Sequence, residues 1–386
     1  MSAHPLASAG ADMFASDFAR ALAVIAASAD ERDHDPRFPG EGFAALAAAG
    51  VPQLAGERER CDLRTEVELV RAVAGVDASC ARILDGHFNG VERLALSAPD
   101  PLREDELEAV RAGELLLGVW GADPAPGEGS RATVEQDAAG NLVLRGVKTF
   151  CSGASGVQRA LVIARDWGGT RRLAYVDVTD RVHIDRGWYR ASGLRSSESH
   201  RVEFTGATVL ALLGGEDELM REPWFSRDAV RTASTWAGIA DCIFEATVTA
   251  VSEHKLDAIA LHALGGMRLA AATIDRWLEH TVAALNETEM PLDADGGARA
   301  LASECRLALA QAARLIAEQA ARVGGSRALV GGGTLDRARR DLDLFLLQHR
   351  LDPKLVELGE RALEEHSRLD PKLVELGERA LEEHSS

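Results

Sequence analysis

Four side chains of this chain have the types and spacing that chemistry requires. His349 stands eight residues after Asp341, the last residue of an Arg-x-x-Arg-Asp motif. An imidazole titrates near neutral pH and can exchange a proton there, although a lone histidine on a helix is more often a packing or surface residue. Asp228 and Arg231 lie one helical turn apart. This spacing predicts a surface ion pair.

Three stretches of different texture must position these residues. Alanine-rich segments with helical spacing, such as FARALAVIAA, occupy about residues 14–114, and short β-rich runs, such as RALVIARDW, occupy about 115–215. Four long helix-forming segments follow from about Pro223. We therefore predict an α+β fold with an N-terminal helical domain (1–114), a middle antiparallel β-sheet or barrel domain (115–215) and a C-terminal four-helix bundle (216–367).

The end of the chain is a repeat. Residues 350–367 read RLDPKLVELGERALEEHS, and residues 368–385 repeat them without a difference. Repeats in natural proteins diverge because each copy meets its own packing demands. We therefore interpret residues 368–386 as a duplicated tail, either a recent duplication or an artefact of cloning, and we exclude them from the fold.

Composition and charge exclude several classes of function. The formal net charge is −18, which repels a phosphate backbone, so we expect no nucleic-acid partner. No run of 18 apolar residues occurs and the N-terminus lacks a signal-peptide pattern, so we expect a cytoplasmic protein without a membrane span. The five cysteines are scattered without metal-ligand spacing. They predict reduced, mostly buried thiols and no metal site.

Three segments resemble the acyl-CoA dehydrogenase superfamily and occur in that family's order. They are GNLVLRGVKTFCSGASGVQRALVIAR, GLRSSESHRVEFTGATV and QAARVGGSRALVGGGTLDRARRD. The resemblance extends over nearly all of residues 14–365 and implies a flavoprotein that carries FAD, or alternatively FMN. It also implies a homo-oligomer, a dimer or a tetramer, because the family's cofactor site takes residues from a neighbouring subunit.

The resemblance assigns cofactor contacts to six residues. Phe150 takes the place of the aromatic residue that packs on the flavin, and Ser152 that of the hydroxyl near flavin N5; without this context, Phe-x-Ser indicates only a core strand. Trp120 falls in the loop of another flavin-contacting segment, whose usual Glu-Pro sequence is absent. The remaining three residues match the element that reaches the neighbour's cofactor; they are Gln319, Gly324 and Gly325. The alternative for these glycines is an ordinary helix C-cap.

The resemblance is compatible with more than one reaction. The resemblance places the catalytic Glu of a dehydrogenase at the position of His349, or alternatively at Val230, so both usual carboxylates are missing. The family default is oxidation of an acyl-CoA thioester at its CH–CH group, with His349 as the base and Asp228 and Arg231 at the acyl pocket. One alternative is a monooxygenase of the same fold that receives reduced flavin from a reductase. Another is a relative without catalytic activity.

Overall fold

The computed structural model of the chain describes residues 5–57, 61–253, 255–286, 297–330, 332–349 and 351–364, with no side chains described for 5–12, 327 and 328. Two compact units are present, one within residues 1–345 and one within 346–386. The predicted duplicated tail, 368–386, lies outside the described residues. In the second unit, residues 352–364 form a helix.

The N-terminal part of the first unit is helical, as predicted. Its helices are α1 (Pro5–His34), α2 (Gly40–Ala48), α3 (Leu63–Ala74), α4 (Ala78–Ser97) and α5 (Leu102–Arg111). Helices α3 and α4 begin at aspartates that cap them: Asp62 accepts a hydrogen bond from Thr65 N at 2.8 Å, and Asp77 accepts one from Cys80 N at 2.9 Å. Most of α4 is buried, so it forms the centre of the helical layer.

Seven strands follow the helices. They are β1 (Leu117–Trp120), β2 (Thr133–Gln136), β3 (Leu142–Cys151), β4 (Arg159–Arg165), β5 (Arg171–Asp177), β6 (Val182–Asp185) and β7 (His200–Leu213). The pairs β4–β2, β2–β3, β3–β7, β7–β5 and β5–β4 close a ring, and β1 and β6 add to β4 and β7. The ring encloses apolar side chains such as Leu144, Val162 and Val202.

The prediction of an antiparallel sheet was wrong in one respect, because the sheet is mixed. Strand β4 pairs in parallel with both β1 and β2, whereas the other pairs are antiparallel. After β3 the chain crosses β2 and forms β4 on its far side, so β4 runs in the same direction as β2. Alternation of apolar residues in a sequence reports a strand but not the direction of its partner.

Four long helices follow the strands in the described residues, and the predicted bundle that they form stays a prediction. They are α6 (Trp224–Val251), α7 (Ala258–Asn286), α8 (Gly297–Gly324) and α9 (Thr334–Gln348). Helix α6 passes very close to α3 at Gly238, where a Cβ atom would lie 2.1 Å from the carbonyl oxygen of Arg71. Only glycine permits this approach. No helix of the described residues is both long and apolar enough to cross a membrane.

All five cysteines are buried, and none forms a disulfide. Among the described residues, no group of three or more His, Cys, Asp and Glu side chains is arranged to hold a metal ion.

Candidate functional site

An aromatic surface lies at the end of β3. Phe150 is 45% exposed, which is unusual for a large apolar side chain in an ordered strand. Trp188 and Tyr189, from the loop between β6 and β7, meet its ring edge-on with centroids 5.0 and 6.4 Å away. Edge-to-face contacts of this kind fix the orientation of the Phe150 ring. The three residues form what we call the aromatic face.

The backbone around this face is strained. Phe150, Leu194 and Glu198 have φ angles of 52°, 50° and 49°, in the left-handed region that non-glycine residues seldom adopt. Two hydrogen bonds hold this geometry: Gly153 N donates to Ser197 O at 2.8 Å, and Ala154 N donates to Glu198 O at 3.2 Å. Strain of this kind concentrates at functional sites, where the surrounding structure maintains it.

A chain of hydroxyl groups contacts the aromatic face through Tyr189. The Oγ atoms of Ser152 and Ser199 are 2.9 Å apart, and those of Ser199 and Ser197 are 2.7 Å apart. Burial raises the pKa of Tyr189 to about 12, although hydrogen bonds with Ser197 and Ser199 oppose the rise. The indole of Trp120 donates to Ser152 O at 3.0 Å. The turn that carries Ser152 is therefore held from two sides.

Glu198 and His200 form a buried pair beside the hydroxyl groups of Ser197 and Ser199. His200 Nε2 lies 3.2 Å from Glu198 Oε2, and both side chains are less than a tenth exposed. Burial alone would raise the pKa of Glu198, but the His200 ring and the Ser155 hydroxyl hold it below its ordinary value. Glu198 is therefore ionised near neutral pH.

The loop between β6 and β7 is fixed to α9. Leu194 N donates to Asp341 Oδ1 at 2.6 Å, and Arg340 Nη1 donates to Ser192 O at 2.6 Å. Between these contacts, a Cβ atom on Gly193 would lie 2.2 Å from Arg340 O. Burial raises the pKa of Asp341 to about 7 despite the Leu194 hydrogen bond and the charge of Arg337. The predicted Arg-x-x-Arg-Asp motif thus holds a loop of the site.

A cavity of about 710 Å³ opens beside the aromatic face, and Tyr189 belongs to both. Three parts of the chain line it: the segment after α1, the loop between β6 and β7, and α9. Its basic residues are Arg37, Arg186, Arg190, Arg195 and Arg340. Glu198 and His200 line it as well. We call it the arginine cavity.

The structure brings together three of the residues predicted from the sequence. Phe150 is exposed, and Ser152, whose N–H donates to Phe150 O at 3.0 Å, belongs to the chain of hydroxyl groups. Trp120 was expected in a loop, but it is the last residue of β1 and is 1% exposed. That expectation was wrong because the four residues 117–120 pair with β4. As placed, Trp120 supports the turn of Ser152 from within the core.

Asp228 and Arg231 lie elsewhere, in the interior between α3, α4 and α6. They do form the predicted pair, at 3.0 Å, but Arg231 is completely buried, so the surface alternative was wrong. Arg231 also contacts Glu66 at 2.6 Å and Glu92 at 2.8 Å. Burial raises the pKa of Asp228 to about 6 against the opposing charge of Arg93. A substrate-binding role for the pair stays a prediction.

Gln319, Gly324 and Gly325 lie at the end of α8. Gly325 has a φ angle of 62° and donates its N–H to Ala321 O at 3.0 Å, so it caps the helix in the left-handed conformation. Added side-chain atoms at Gly325 would meet nothing within 4 Å. The predicted contact of these residues with a neighbour's cofactor stays a prediction.

His349 lies in the second unit, one residue beyond the end of α9, and is partly buried. Its N–H donates to Leu346 O at 3.4 Å. Its catalytic role stays a prediction.

Sequence reasoning missed several residues of this region. Trp188 and Tyr189 were assigned only to a β-rich run, and Glu198 and His200 only to a segment that resembles the family. A signal was present in RGWYR at residues 186–190, where two aromatic residues stand between two arginines in a short loop. Such a cluster is unusual in a chain whose net charge is −18.

Comparison with known proteins establishes the fold. No family model matches this chain, and no curated protein matches it in sequence. FMN-bound TdsC from Paenibacillus sp. A11-2, a dibenzothiophene monooxygenase, is 19% identical and has a TM-score of 0.80 over 89% of this chain and 95% of that chain. Methanesulfinate monooxygenase MsuC from Pseudomonas fluorescens is 23% identical, with a TM-score of 0.80 over 91% and 96% of the two chains.

Nitrososynthase from Micromonospora carbonacea var. africana is 22% identical, with a TM-score of 0.74 over 88% and 92% of the two chains. This chain shares the fold of these proteins over 88–91% of its length, in agreement with the α+β class predicted from the sequence; the predicted domain boundaries stay a prediction. At such identities the likeness establishes the fold alone, and the reaction must be argued from the site.

Proposed function

We propose that this chain is a flavin-dependent oxidoreductase that binds FMN at the aromatic face and acts as a monooxygenase with reduced flavin. The observation that carries the proposal is the exposed ring of Phe150, which Trp188 and Tyr189 meet edge-on, on the same turn as Ser152, whose N–H donates to Phe150 O at 3.0 Å. A flavin needs an apolar surface for its ring and a polar group near its reactive nitrogen.

The residues present fit such a cofactor. Phe150 is exposed although its backbone is strained, which indicates that its position serves a contact outside the chain. Ser152 is 9% exposed, and among the described residues its hydroxyl has only Ser199 as a side-chain partner, so a lone pair or the proton remains for a ligand. When bound, the flavin would supply the redox chemistry.

The chain's own residues would position the cofactor and handle protons. Phe150 would pack against the flavin ring, and the Ser152 hydroxyl would orient that ring by a hydrogen bond. Tyr189, which belongs to the aromatic face, would cover the edge of the flavin ring and exclude water from it. Glu198 and His200, 3.2 Å apart, line the arginine cavity, where they would act as an acid–base pair toward a bound substrate.

Monooxygenase chemistry is preferred because neither position of the usual dehydrogenase base carries a carboxylate. His349 occupies one of them, and Val230, which is completely buried, occupies the other. Two of the similar structures are named monooxygenases, and one of these contains FMN. His349 would then assist the oxygen chemistry as an acid or base. Reduced flavin would come from a separate reductase.

Oxidation of an acyl-CoA thioester with FAD is the second candidate, supported by the three sequence segments that resemble the acyl-CoA dehydrogenase superfamily. In that case His349 would be the base, and Asp228 and Arg231 would contact the acyl group. Gln319, Gly324 and Gly325 would contact the FAD of a neighbouring subunit in a dimer or tetramer. The structures cited above are not named as acyl-CoA enzymes.

Flavin binding is the first test. FMN fluorescence should be titrated with the wild-type chain, with Phe150→Ala and with Trp167→Ala, a matched control because Trp167 is 72% exposed in the turn between β4 and β5. Loss of the aromatic contact should weaken FMN binding about tenfold in the first variant and leave the control unchanged. Absence of binding to the wild-type chain would refute a flavin-dependent function.

The reaction is tested in two separate assays. With a flavin reductase and NADH, a monooxygenase should consume oxygen and form a hydroxylated or S- or N-oxidised product, and His349→Ala should slow product formation relative to His280→Ala. Under anaerobic conditions, bleaching of bound oxidised flavin by a panel of acyl-CoA thioesters would instead support the dehydrogenase. If flavin binds but neither of these two results is observed, both proposals are contradicted.

A further inference from the structure

We propose that the arginine cavity is a binding site for a phosphate-class oxyanion. Five arginines line the cavity, whereas the chain as a whole has a net charge of −18. Concentration of positive charge against the overall charge of a protein has an electrostatic cost, because like charges repel one another across a small space. An anionic ligand removes this cost.

The arginines differ in how far the protein satisfies them. Arg340 is held by Asp33 at 2.6 Å and Asp336 at 2.9 Å, and Arg37 contacts Glu31 at 2.6 Å. These two side chains therefore have acceptors from the chain itself. They shape the cavity and contribute their charge to it.

The other three arginines have N–H groups that remain available to a ligand. Arg190 uses Nε alone, to Gly187 O at 2.9 Å. Within the part of the chain that the structure describes, the side chains of Arg186 and Arg195 donate no hydrogen bond to a protein group. Each guanidinium offers five N–H donors in a planar fork that matches two oxygens of a phosphate or sulfate. The unsatisfied donors are therefore suited to an oxyanion.

The loop that presents these arginines is already fixed. It carries Arg186, Arg190 and Arg195, and it is attached to α9 through the Leu194–Asp341 hydrogen bond at 2.6 Å and the close approach at Gly193. Its other side is attached to the end of α1, where Ser196 Oγ donates to Arg32 O at 2.8 Å. A loop held on two sides loses little further entropy when a ligand binds.

The size of the cavity limits the ligand. A volume of about 710 Å³ accommodates a small molecule and not a folded partner or a duplex. Glu198 on the same wall disfavours a ligand that is anionic throughout. The class that fits is a small organic molecule with one phosphate-like group at the arginines and a neutral or donor-bearing part near Glu198 and Tyr189.

Isothermal titration of inorganic phosphate at low ionic strength tests the proposal. The wild-type chain should bind one phosphate, and the double variant Arg186→Gln/Arg195→Gln should bind it about tenfold or more weakly, because charge-assisted hydrogen bonds are lost. The control is Arg181→Gln/Arg322→Gln, which removes the same charge from exposed sites outside the cavity and should change the Kd less than about twofold.

Absence of saturable phosphate binding to the wild-type chain, or equal weakening in the two double variants, would overturn the proposal. Circular dichroism checks that each variant is folded. Because Arg186 is exposed, Arg186→Gln alone provides a second variant that should fold and should still weaken binding. A chain that binds phosphate but no flavin would support this site and refute the proposed function, so the two failures are distinguishable.

Competition identifies the source of the oxyanion. If FMN displaces phosphate and riboflavin does not, the cavity receives the phosphate of the flavin. If phosphate still binds at saturating FMN, the cavity receives the anionic group of a second ligand. Both results support an oxyanion site.

Discussion

Arg231 should be among the most sensitive positions of the fold, because its guanidinium is completely buried and is shared by four partners. It donates to Glu66 Oε2 at 2.6 Å, Asn89 Oδ1 at 2.6 Å, Glu92 Oε2 at 2.8 Å and Asp228 Oδ1 at 3.0 Å. The substitution Arg231→Met keeps much of the side-chain volume and removes the charge together with all four hydrogen bonds.

The expected cost follows from the charges that remain. In the wild-type chain, three cations, Arg93, Arg227 and Arg231, balance the carboxylates of Glu66, Glu92 and Asp228. Arg231→Met leaves these three buried carboxylates with two of the three cations. Removal of one partner from a buried ion pair costs about 3–5 kcal/mol. We expect the free energy of unfolding to fall by this amount at pH 8.

The cost should depend on pH in a defined direction. Burial already raises the pKa of Asp228 to about 6, and loss of the nearby Arg231 charge would raise it further. At pH 5.5 the variant can protonate Asp228 and neutralise the excess charge. The difference in stability between wild type and variant should therefore be smaller at pH 5.5 than at pH 8.

Urea denaturation followed by far-UV circular dichroism measures both effects. The matched control is Arg71→Met, because Arg71 also joins two helices but its partners Asp241 and Asp275 are 37% and 50% exposed. We expect the control to lose about 1 kcal/mol or less. If Arg231→Met also lost no more than about 1 kcal/mol, or lost the same amount at both pH values, the inference of a dry, charge-balanced network would be refuted.

Three further predictions concern the supports of the site and the end of α8. Because burial raises the pKa of Asp341 to about 7, the folded chain keeps a proton that the unfolded chain releases near pH 4. The free energy of unfolding should therefore fall as the pH rises from about 4 to about 7. Asp341→Asn should flatten this dependence on pH, as measured by urea denaturation. Gly193→Ala places a Cβ 2.2 Å from Arg340 O, so it should cost about 1–3 kcal/mol by urea denaturation and weaken phosphate binding; unchanged stability would contradict the close approach. Gly325→Ala meets open space and should cost only about 1 kcal/mol through its left-handed backbone, as measured by the same method.

The measurements on Arg231 also bear on the sequence-based expectation that Asp228 and Arg231 bind a substrate. A structural pair should show its effect in the free energy of unfolding, with little change in KM for a variant that remains folded. A substrate-binding pair should raise KM in Asp228→Asn, which retains the size of the side chain. The two roles can therefore be separated with one enzyme assay and one denaturation curve.

Periodic local patterns in the sequence determined the succession of helices, strands and helices. The spacing of apolar residues predicted that α6 is a helix and that the β-rich runs are strands. Each element buries one face or stripe, so its apolar residues recur with the period of a helix or of a strand. The Phe150-x-Ser152 pair was also found from the sequence, since both residues lie on one short segment. The same local signals could not indicate that β4 runs parallel to β2, because a strand's partner is chosen by the path of the chain.

Only the tertiary structure decided which distant residues meet. Arg37, Arg195 and Arg340 come from three separate segments, and they form one cavity because α1, the loop between β6 and β7, and α9 converge there. Arg231 illustrates the same limit, since a spacing of three residues fits a surface pair and a buried one equally well. Burial and charge compensation arise from contacts between segments far apart in sequence, so local spacing did not reveal them.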